Sequence, residues 1–323
     1  MKKEILQMLR NREGFISGQE LCEVFNVSRT AVWKAIRQLM EDGYHIEAIR
    51  NKGYRLLPGD EVYNQEEIEH QCTSKIMGRE VVFKQCVDST NRLAKELASQ
   101  NAPEGTLVVS DCQTVGKGRR GRAWESPIGE NIYMTLILRP DIMPDKASML
   151  TLLMAYSVVE GLGYEETQIK WPNDVVIDGK KICGILTEMS ADMDGIHYIT
   201  IGVGINVNQK IFAEELRNKA TSLCLFEGIP VDRGIVIAKI MASFEKNYKR
   251  FLTARNLQSV MEEYNRRLVH FHTEVFVVEP QRSYPAFSHG INEFGELLIT
   301  TKDGDEQAII AGEVSVRGLY GYV

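Results

Sequence analysis

No apolar stretch of this chain reaches the roughly eighteen residues that a membrane-crossing helix requires; the run from Ala147, for example, is closed by Glu160. A helical membrane protein is thereby excluded. The opening, Met1-Lys2-Lys3-Glu4-Ile5-Leu6-Gln7, mixes acidic and polar residues with its apolar ones, so it is not read as a signal peptide, and a cytoplasmic chain is expected. Cysteine is sparse and scattered: six residues, at 22, 72, 86, 112, 183 and 224, with no C-x-x-C pair. That argues against a zinc ribbon or a disulfide scaffold, and reduced thiols are expected. Histidine is equally sparse, and His270-x-His272 reads as incidental, so no dedicated metal site is expected. Low-complexity tracts and internal repeats are absent, which excludes solenoids and collagen-like chains.

What is present is a globular composition, 44% hydrophobic and 25% charged over 323 residues, enough for two or three domains with real cores. Charge is unevenly spread. Residues 1–57 carry ten Lys or Arg against seven Asp or Glu, a formal +3, leaving −9 on the rest of a chain whose total is −6. The asymmetry points to an N-terminal nucleic-acid binder. Ile5, Leu6, Met8 and Leu9 make a first helix, and Ser17-x-x-Glu20 is a capping box that opens a second, burying Leu21, Val24 and Phe25. After a turn at Asn26-Val27, Ser28 caps a third helix. There Val32, Ile36 and Leu39 face inward and leave Arg29, Thr30, Trp33, Lys34 and Arg37 outward, the look of a recognition helix. A core role for Trp33 and a small interaction domain with a solvated face are the bland alternatives. Residues from Gly43 to Leu57 read as a β-hairpin, and Pro58-Gly59-Asp60-Glu61 as a linker.

The chemistry-bearing stretch is Gly116-Lys117-Gly118-Arg119-Arg120-Gly121-Arg122, four cations and three glycines in seven residues. Glycine lets the backbone approach a ligand, free amides form an anion-binding concavity, and guanidinium groups add bidentate donors. The string matches G-x-G-x-x-G, but Ala123-Trp124-Glu125-Ser126-Pro127 cannot open the helix that a dinucleotide site needs. A solvated basic loop explains the cations but neither the glycines nor Trp124. Further on, Lys170-Trp171-Pro172-Asn173-Asp174 precedes Val175-Val176-Ile177, and Asp178-Gly179 between apolar runs signals a hairpin that returns through Lys181 and Gly184. Gly202 and Gly204, spaced i, i+2 on a strand of about residues 196–207, suggest a ligand or backbone lying against the sheet. Asp88-Ser89-Thr90-Asn91 reads as a helix cap. Apolar segments at 131–138, 146–162, 232–253 and 256–267 supply one strand and three helices, the helix at 146–162 buried on most of its surface.

The glycine-arginine loop, the Lys170 to Asp174 motif, and a lysine shortly before a glycine on the next strand together resemble the biotin protein ligases. The resemblance is to the bifunctional kind that also represses the biotin operon, and it covers essentially the whole chain. One departure is Lys117, where the family usually has arginine; lysine keeps the charge and loses the planar fork. The resemblance implies an α+β chain: a winged helix-turn-helix at 1–60, a mixed α/β, class II synthetase-like catalytic domain at 61–270, and an SH3-like β-barrel at 271–323. It implies biotin contacts from Ser89, Thr90, Asn91, Gln113, Lys117, Gly118, Arg119, Lys181, Gly184 and Gly204. Adenylate contacts are implied for Gly116, Arg120, Arg122, Trp124, Lys170, Asn206 and Arg317, with Lys181, Arg119 and Asp174 carrying the chemistry. Ser28, Arg29, Thr30, Trp33, Lys34 and Arg37 would meet DNA. Substrates would be biotin and ATP with its Mg²⁺, and partners a carboxylase's biotin carboxyl carrier domain, operator DNA and a second copy of the chain when the adenylate is bound. Three alternatives stay open at this point: a lipoate or octanoyl ligase, a biotin-sensing repressor without transfer, and a ligase whose N-terminal domain is architectural.

Overall fold

In the computed structural model, residues 1–57, 61–193, 195–279, 282–311 and 315–318 are described. The expected linker at Pro58, Gly59 and Asp60 lies outside the described residues. The chain divides into two compact units, Met1–Glu67 and Ile68–Val323.

The first unit holds α1 (Lys2–Arg10), α2 (Gly18–Phe25) and α3 (Arg29–Glu41), followed by the antiparallel pair β1 (Ile46–Ile49) and β2 (Gly53–Leu56). The hydroxyls of Ser17 and Ser28 accept the amides of Glu20 and Ala31, at 3.0 and 3.2 Å, which fixes where α2 and α3 begin. Between them Asn26 takes φ 50, a left-handed turn that asparagine tolerates. Ile5, Leu6, Leu9, Leu21, Val32 and Ile36 fill the core of this unit. Val24 was expected inside and is 56% exposed. On so short a helix Leu21 and Phe25, one turn apart, take the inward stripe and leave Val24 outside it. The hairpin closes onto Ile16, whose carbonyl oxygen would lie 2.0 Å from a Cβ at position 53, so only glycine fits there.

The chain passes from the first unit to the second within α4 (Gln65–Gln71), and the second unit continues with β3 (Val81–Lys84), α5 (Thr90–Ser99), β4 (Leu107–Ser110), β5 (Ile132–Leu138), α6 (Ala147–Leu162), β6 (Thr167–Lys170), β7 (Asp174–Ile177), β8 (Lys180–Asp192) and β9 (Gly195–Ile205). The seven strands β3 to β9 form one sheet in the order β3-β4-β5-β9-β8-β7-β6, parallel only between β3 and β4. All seven residues of β5 are buried, as a strand covered on both faces must be. Ala94 and Ala98 of α5 pack against Val108 and Ile137 on one face. Thr151 of α6 meets Thr187 of β8 on the other, and α6 is buried on most of its surface, as its composition predicts.

The chain continues through α7 (Leu223–Glu227), α8 (Arg233–Ala254) and α9 (Gln258–Arg267) to β10 (Thr273–Val278), β11 (Ser283–Ile291), β12 (Leu297–Thr301), β13 (Glu306–Ile309) and β14 (Ser315–Gly318). These last five strands form a separate antiparallel sheet in the order β13-β12-β11-β10-β14. The thiol expectation is corrected for two of the six cysteines: Cys86 and Cys112 form a disulfide, while Cys22, Cys72, Cys183 and Cys224 are free. The parallel pairing of β3 with β4 continues past the strand ends to a bridge between Val87 and Gln113, and this sets the preceding residues, Cys86 and Cys112, side by side.

Candidate active site

Two turns on either side of β7 create the reactive corner. Trp171 is buried, with its indole N–H donating to the Gly295 carbonyl (3.2 Å), and the Trp171–Pro172 bond is cis. Asn173 then exchanges hydrogen bonds with Ile185, its side-chain amide donating at 3.0 Å and its carbonyl accepting at 2.9 Å, which sets Asp174 at the head of β7. At the far end Asp178 (φ 48) and Gly179 (φ 72) make the predicted two-residue hairpin turn. The returning strand is bulged: Val175 faces Cys183 but Val176 faces Lys181, so Ile182 is an extra residue. Three residues apart on a regular strand, Lys181 and Gly184 would point to opposite faces. The bulge brings both onto the face of Asp174, and Lys181 Nζ lies 2.6 Å from Asp174 Oδ1.

Register carries that face across the sheet. Gly184 pairs with Gly204 and Leu186 with Gly202, and the same two glycines pair with Tyr133 and Thr135 on β5. The glycines leave a trough, as their spacing predicts, and the groups lying in it are side chains of this chain. The Trp124 indole covers Gly184 and Gly204, so that a Cβ at 204 would come within 2.6 Å of it, and the Asn91 amide oxygen lies closer still over Gly202, 2.0 Å from a Cβ there. Lys181 Nζ sits 5.2 Å from the centre of the Trp124 ring, and the buried indole N–H of Trp124 has no hydrogen-bond partner among the described residues. The space left beside these groups is about 60 Å³, against roughly 300–1,000 Å³ for typical small-molecule sites. On the far side of Trp124 an open groove of about 630 Å³ runs past Val115, Gly116, Ser126, Pro127, Gln209 and Ile211.

The glycine-arginine loop is a small hairpin closed by Gly118 N–H to the Arg122 carbonyl (2.8 Å) and Trp124 N–H to the Gly116 carbonyl (2.9 Å). Part of the backbone expected to be free for an anion is therefore spent inside the loop. Arg120 (φ 58) and Gly121 (φ 69) form its tip. Arg119 reaches back to the Asn173 side-chain oxygen at 3.0 Å. Burial, with Arg120 and Arg122 beside it, lowers the Arg119 pKa, and Asp174 opposes the shift.

Opposite the loop, α5 begins. Ser89 is its N-cap residue, but the Ser89 hydroxyl makes no capping bond; the first-turn amide of Thr90 donates instead to the Gln113 side-chain oxygen at 2.9 Å. Thr90, Gln113, Lys117, Gly118, Arg119, Trp124, Lys181, Gly184 and Gly204 all line the cavity. Asn91 is 8% exposed, its amide engaged by Thr135, Leu186 and Glu188. Gly116 lines the outer groove, and Arg120 and Arg122 are exposed on the hairpin. Lys170, at the end of β6, is buried near His270, and Asn206 donates to the Thr221 carbonyl at 3.1 Å. Arg317 pairs with Phe276 in the strand register; its side chain lies outside the described residues. In the first unit Ser28, the N-cap of α3, and Arg29, Thr30, Trp33, Lys34 and Arg37 on the helix are all exposed, Trp33 at 50%, with the Arg37 guanidinium 5.5 Å from the centre of the Trp33 ring.

The cavity also takes residues that sequence reasoning passed over: Tyr133, Asn173 and Leu186 line it, and Thr135 and Glu188 stand behind its wall. Asn173 was visible inside the motif. The others belong to β5 and β8 and are brought in only by register.

Residues 83–206 match the Biotin/lipoate A/B protein ligase family, and residues 2–55 match an HTH domain. The chain is 41% identical over 312 residues to the bifunctional ligase/repressor BirA of Bacillus spizizenii, covering 94% of this chain and 95% of that one. Against BirA of Escherichia coli it is 28% identical over 317 residues, 97% and 96% of the two chains. Among solved structures, the biotin protein ligase from Aquifex aeolicus in complex with biotin and ATP aligns with TM-score 0.64 and 30% identity. That alignment covers 74% of this chain and 99% of that one. Identity at this level along nearly the full length, over both the HTH segment and the cavity-bearing sheet, places the chain in the biotin protein ligase family, within its bifunctional ligase/repressor branch.

Proposed function

We propose that this chain activates biotin with ATP and transfers it to a lysine of a biotin carboxyl carrier domain, and that it represses biotin genes in response to the same intermediate. The observation that carries the reading is the corner where Lys181, paired with Asp174, and Arg119 meet over the paired glycines Gly184 and Gly204. In the first half-reaction a biotin carboxylate oxygen attacks the α-phosphorus of ATP, the α–β anhydride bond breaks, and pyrophosphate leaves. No enzyme nucleophile is needed; the protein positions the anions and screens their charge. Lys181 has three ammonium protons, so it can keep Asp174 and still reach the carboxylate and the α-phosphate. Arg119, with Lys117 and Gly118, closes over the mixed anhydride and keeps water away.

In the second half-reaction a neutral lysine amine attacks the acyl carbon and AMP departs. Asp174, beside Lys181, is placed to orient the incoming amine. Ser89, Thr90, Asn91 and Gln113 serve the biotin end. Gly116, Arg120, Arg122, Trp124, Lys170, Asn206 and Arg317 serve the nucleotide, and Mg²⁺ arrives with ATP. On this reading the chain works as three domains, at 1–60, 61–270 and 271–323, in the cytoplasm. The first is a winged helix-turn-helix in which β1 and β2 are the wing and α3 lays Ser28, Arg29, Thr30, Trp33, Lys34 and Arg37 toward DNA. The last is the SH3-like domain. A single module with a formal +3 makes few phosphate contacts, so operator binding calls for a dimer formed when biotinyl-AMP is bound.

Mass spectrometry of the protein incubated with biotin and ATP tests the chemistry: bound biotinyl-AMP is expected, and its absence with pyrophosphate exchange at background would overturn the ligase reading. Gel-shift titration tests the second role. Biotin plus ATP should tighten operator binding, and equal affinity with and without them would remove the regulatory claim.

A further inference from the structure

Behind Thr90 runs a line of side chains whose proton donors and acceptors can be assigned one by one. Glu188 lies 2.5 Å from Lys95 Nζ and accepts from the Asn91 amide at 2.8 Å, and a second Asn91 N–H goes to the Leu186 carbonyl at 3.3 Å. Two acceptors thus fix which end of the Asn91 amide is nitrogen. Its oxygen lies 2.7 Å from the Thr135 hydroxyl, in a site where Thr135 is fully buried. An amide oxygen cannot donate, so the single Thr135 proton points to Asn91. The Thr90 hydroxyl, 2.9 Å from Thr135, must then be the donor of that pair. Gln113 gives the same answer from the other side: its oxygen already accepts the Thr90 backbone N–H at 2.9 Å and lies 3.2 Å from the Thr90 hydroxyl. Thr135 and Gln113 both stand as acceptors for the single Thr90 proton, and Thr90 lines the cavity.

We infer that Thr135 and Glu188 are positioning residues that hold the Thr90 hydroxyl as an acceptor toward the ligand, so that this subsite selects an N–H of a cyclic urea. The inference rests on biotin as the ligand and adds the buried side chains that orient this wall toward it. Thr90 with its proton committed offers lone pairs to a ureido N–H and repels a carbonyl, an ether oxygen or an alkylated nitrogen at the same place. Glu188 contributes from a distance, since its charge strengthens the Asn91 donor and through it the order of the chain.

Calorimetric titration of the full chain with biotin and with its two ureido N-methyl derivatives tests this. In the wild-type chain, methylation at one ring nitrogen should cost about tenfold more affinity than methylation at the other, the worth of one well-made hydrogen bond. Thr135→Val should weaken biotin binding about tenfold and shrink the difference between the two derivatives by at least about threefold, and Thr135→Ser should restore both. Glu188→Leu should move the same quantities in the same direction. Wild-type binding of biotin with Thr135→Val unchanged would overturn the inference alone. An equal loss for biotin and both derivatives, the mark of a merely structural defect, would do the same. A folded wild-type chain that does not bind biotin would overturn the ligand reading and this inference with it.

Discussion

Replacing Lys181 by methionine separates the catalytic worth of its charge from its structural worth. The side chain is 23% exposed and its partner Asp174 15%, with 2.6 Å between charged atoms. Exposed pairs contribute about 0–1 kcal/mol, and breaking a fully buried one costs about 3–5 kcal/mol, so this mostly covered pair falls near 1–3 kcal/mol. Asp174 would keep the weaker field of Arg119, which softens the loss. In a unit of this size that corresponds to a melting temperature lower by roughly 3–8 °C. The effect on chemistry is larger. A cation acting where two anions meet supplies about 3–4 kcal/mol in the transition state, so biotin-dependent pyrophosphate exchange should fall a few hundredfold. Lys181→Met with Asp174→Asn removes both charges and should recover most of the lost stability while exchange stays low. Thermal unfolding and isotopic exchange on the same three proteins decide the matter. Near wild-type exchange in the single variant, or exchange restored in the double variant, would refute the role assigned to Lys181.

Biotin should displace the Trp124 indole from Gly204, so adding it should change tryptophan emission in the wild-type chain and leave a Trp124→Phe variant silent; an equal change in both would show that the indole stays in place. His270 is held neutral because burial and the nearby Lys170 charge push its pKa down to about 4 from an ordinary value of 6.5. A base whose folded pKa is depressed stabilises the fold fully above the unfolded value and less as pH falls toward the folded one. Between pH 7.5 and 5 the loss should be about 2 kcal/mol, read by denaturant titration, and His270→Phe should flatten that limb. The disulfide between Cys86 and Cys112 closes a loop of sequence separation 26, so reduction should lower stability by about 2–4 kcal/mol. Cys86→Ser should be indifferent to reductant, and a wild-type chain equally indifferent would speak against the bond.

Features written in local chemistry were legible. The caps at Ser17 and Ser28, the outward face of α3, the turn at Asp178-Gly179 and the trough at Gly202 and Gly204 each depend on residues within a few positions of one another. Where the expectation missed, the deciding contact came from elsewhere in the chain. Trp124 and Asn91 lie in that trough from segments far away in sequence, which no local pattern announces. Cys86 and Cys112 look scattered until β3 and β4 are known to run parallel.

The bulge at Ile182 makes the same point about the reactive corner itself. Counting by twos along β8 sets Lys181 and Gly184 on opposite faces, and no residue in Lys-Lys-Ile-Cys-Gly announces the extra position. It follows from pairing: β7 offers Asp174 to Gly184 and Val176 to Lys181, two steps against three, so one residue of β8 must be left over. Thr135 is hidden in another way. In Ile-Tyr-Met-Thr-Leu-Ile-Leu a threonine reads as one more β-branched strand former. Only its pairing with Gly202, which leaves room above it, and the first turn of α5 set against it turn that hydroxyl into a link between Asn91 and Thr90. A sequence lists the groups that do chemistry. Register decides which of them share a face, and here one bulge and one glycine pairing decide it.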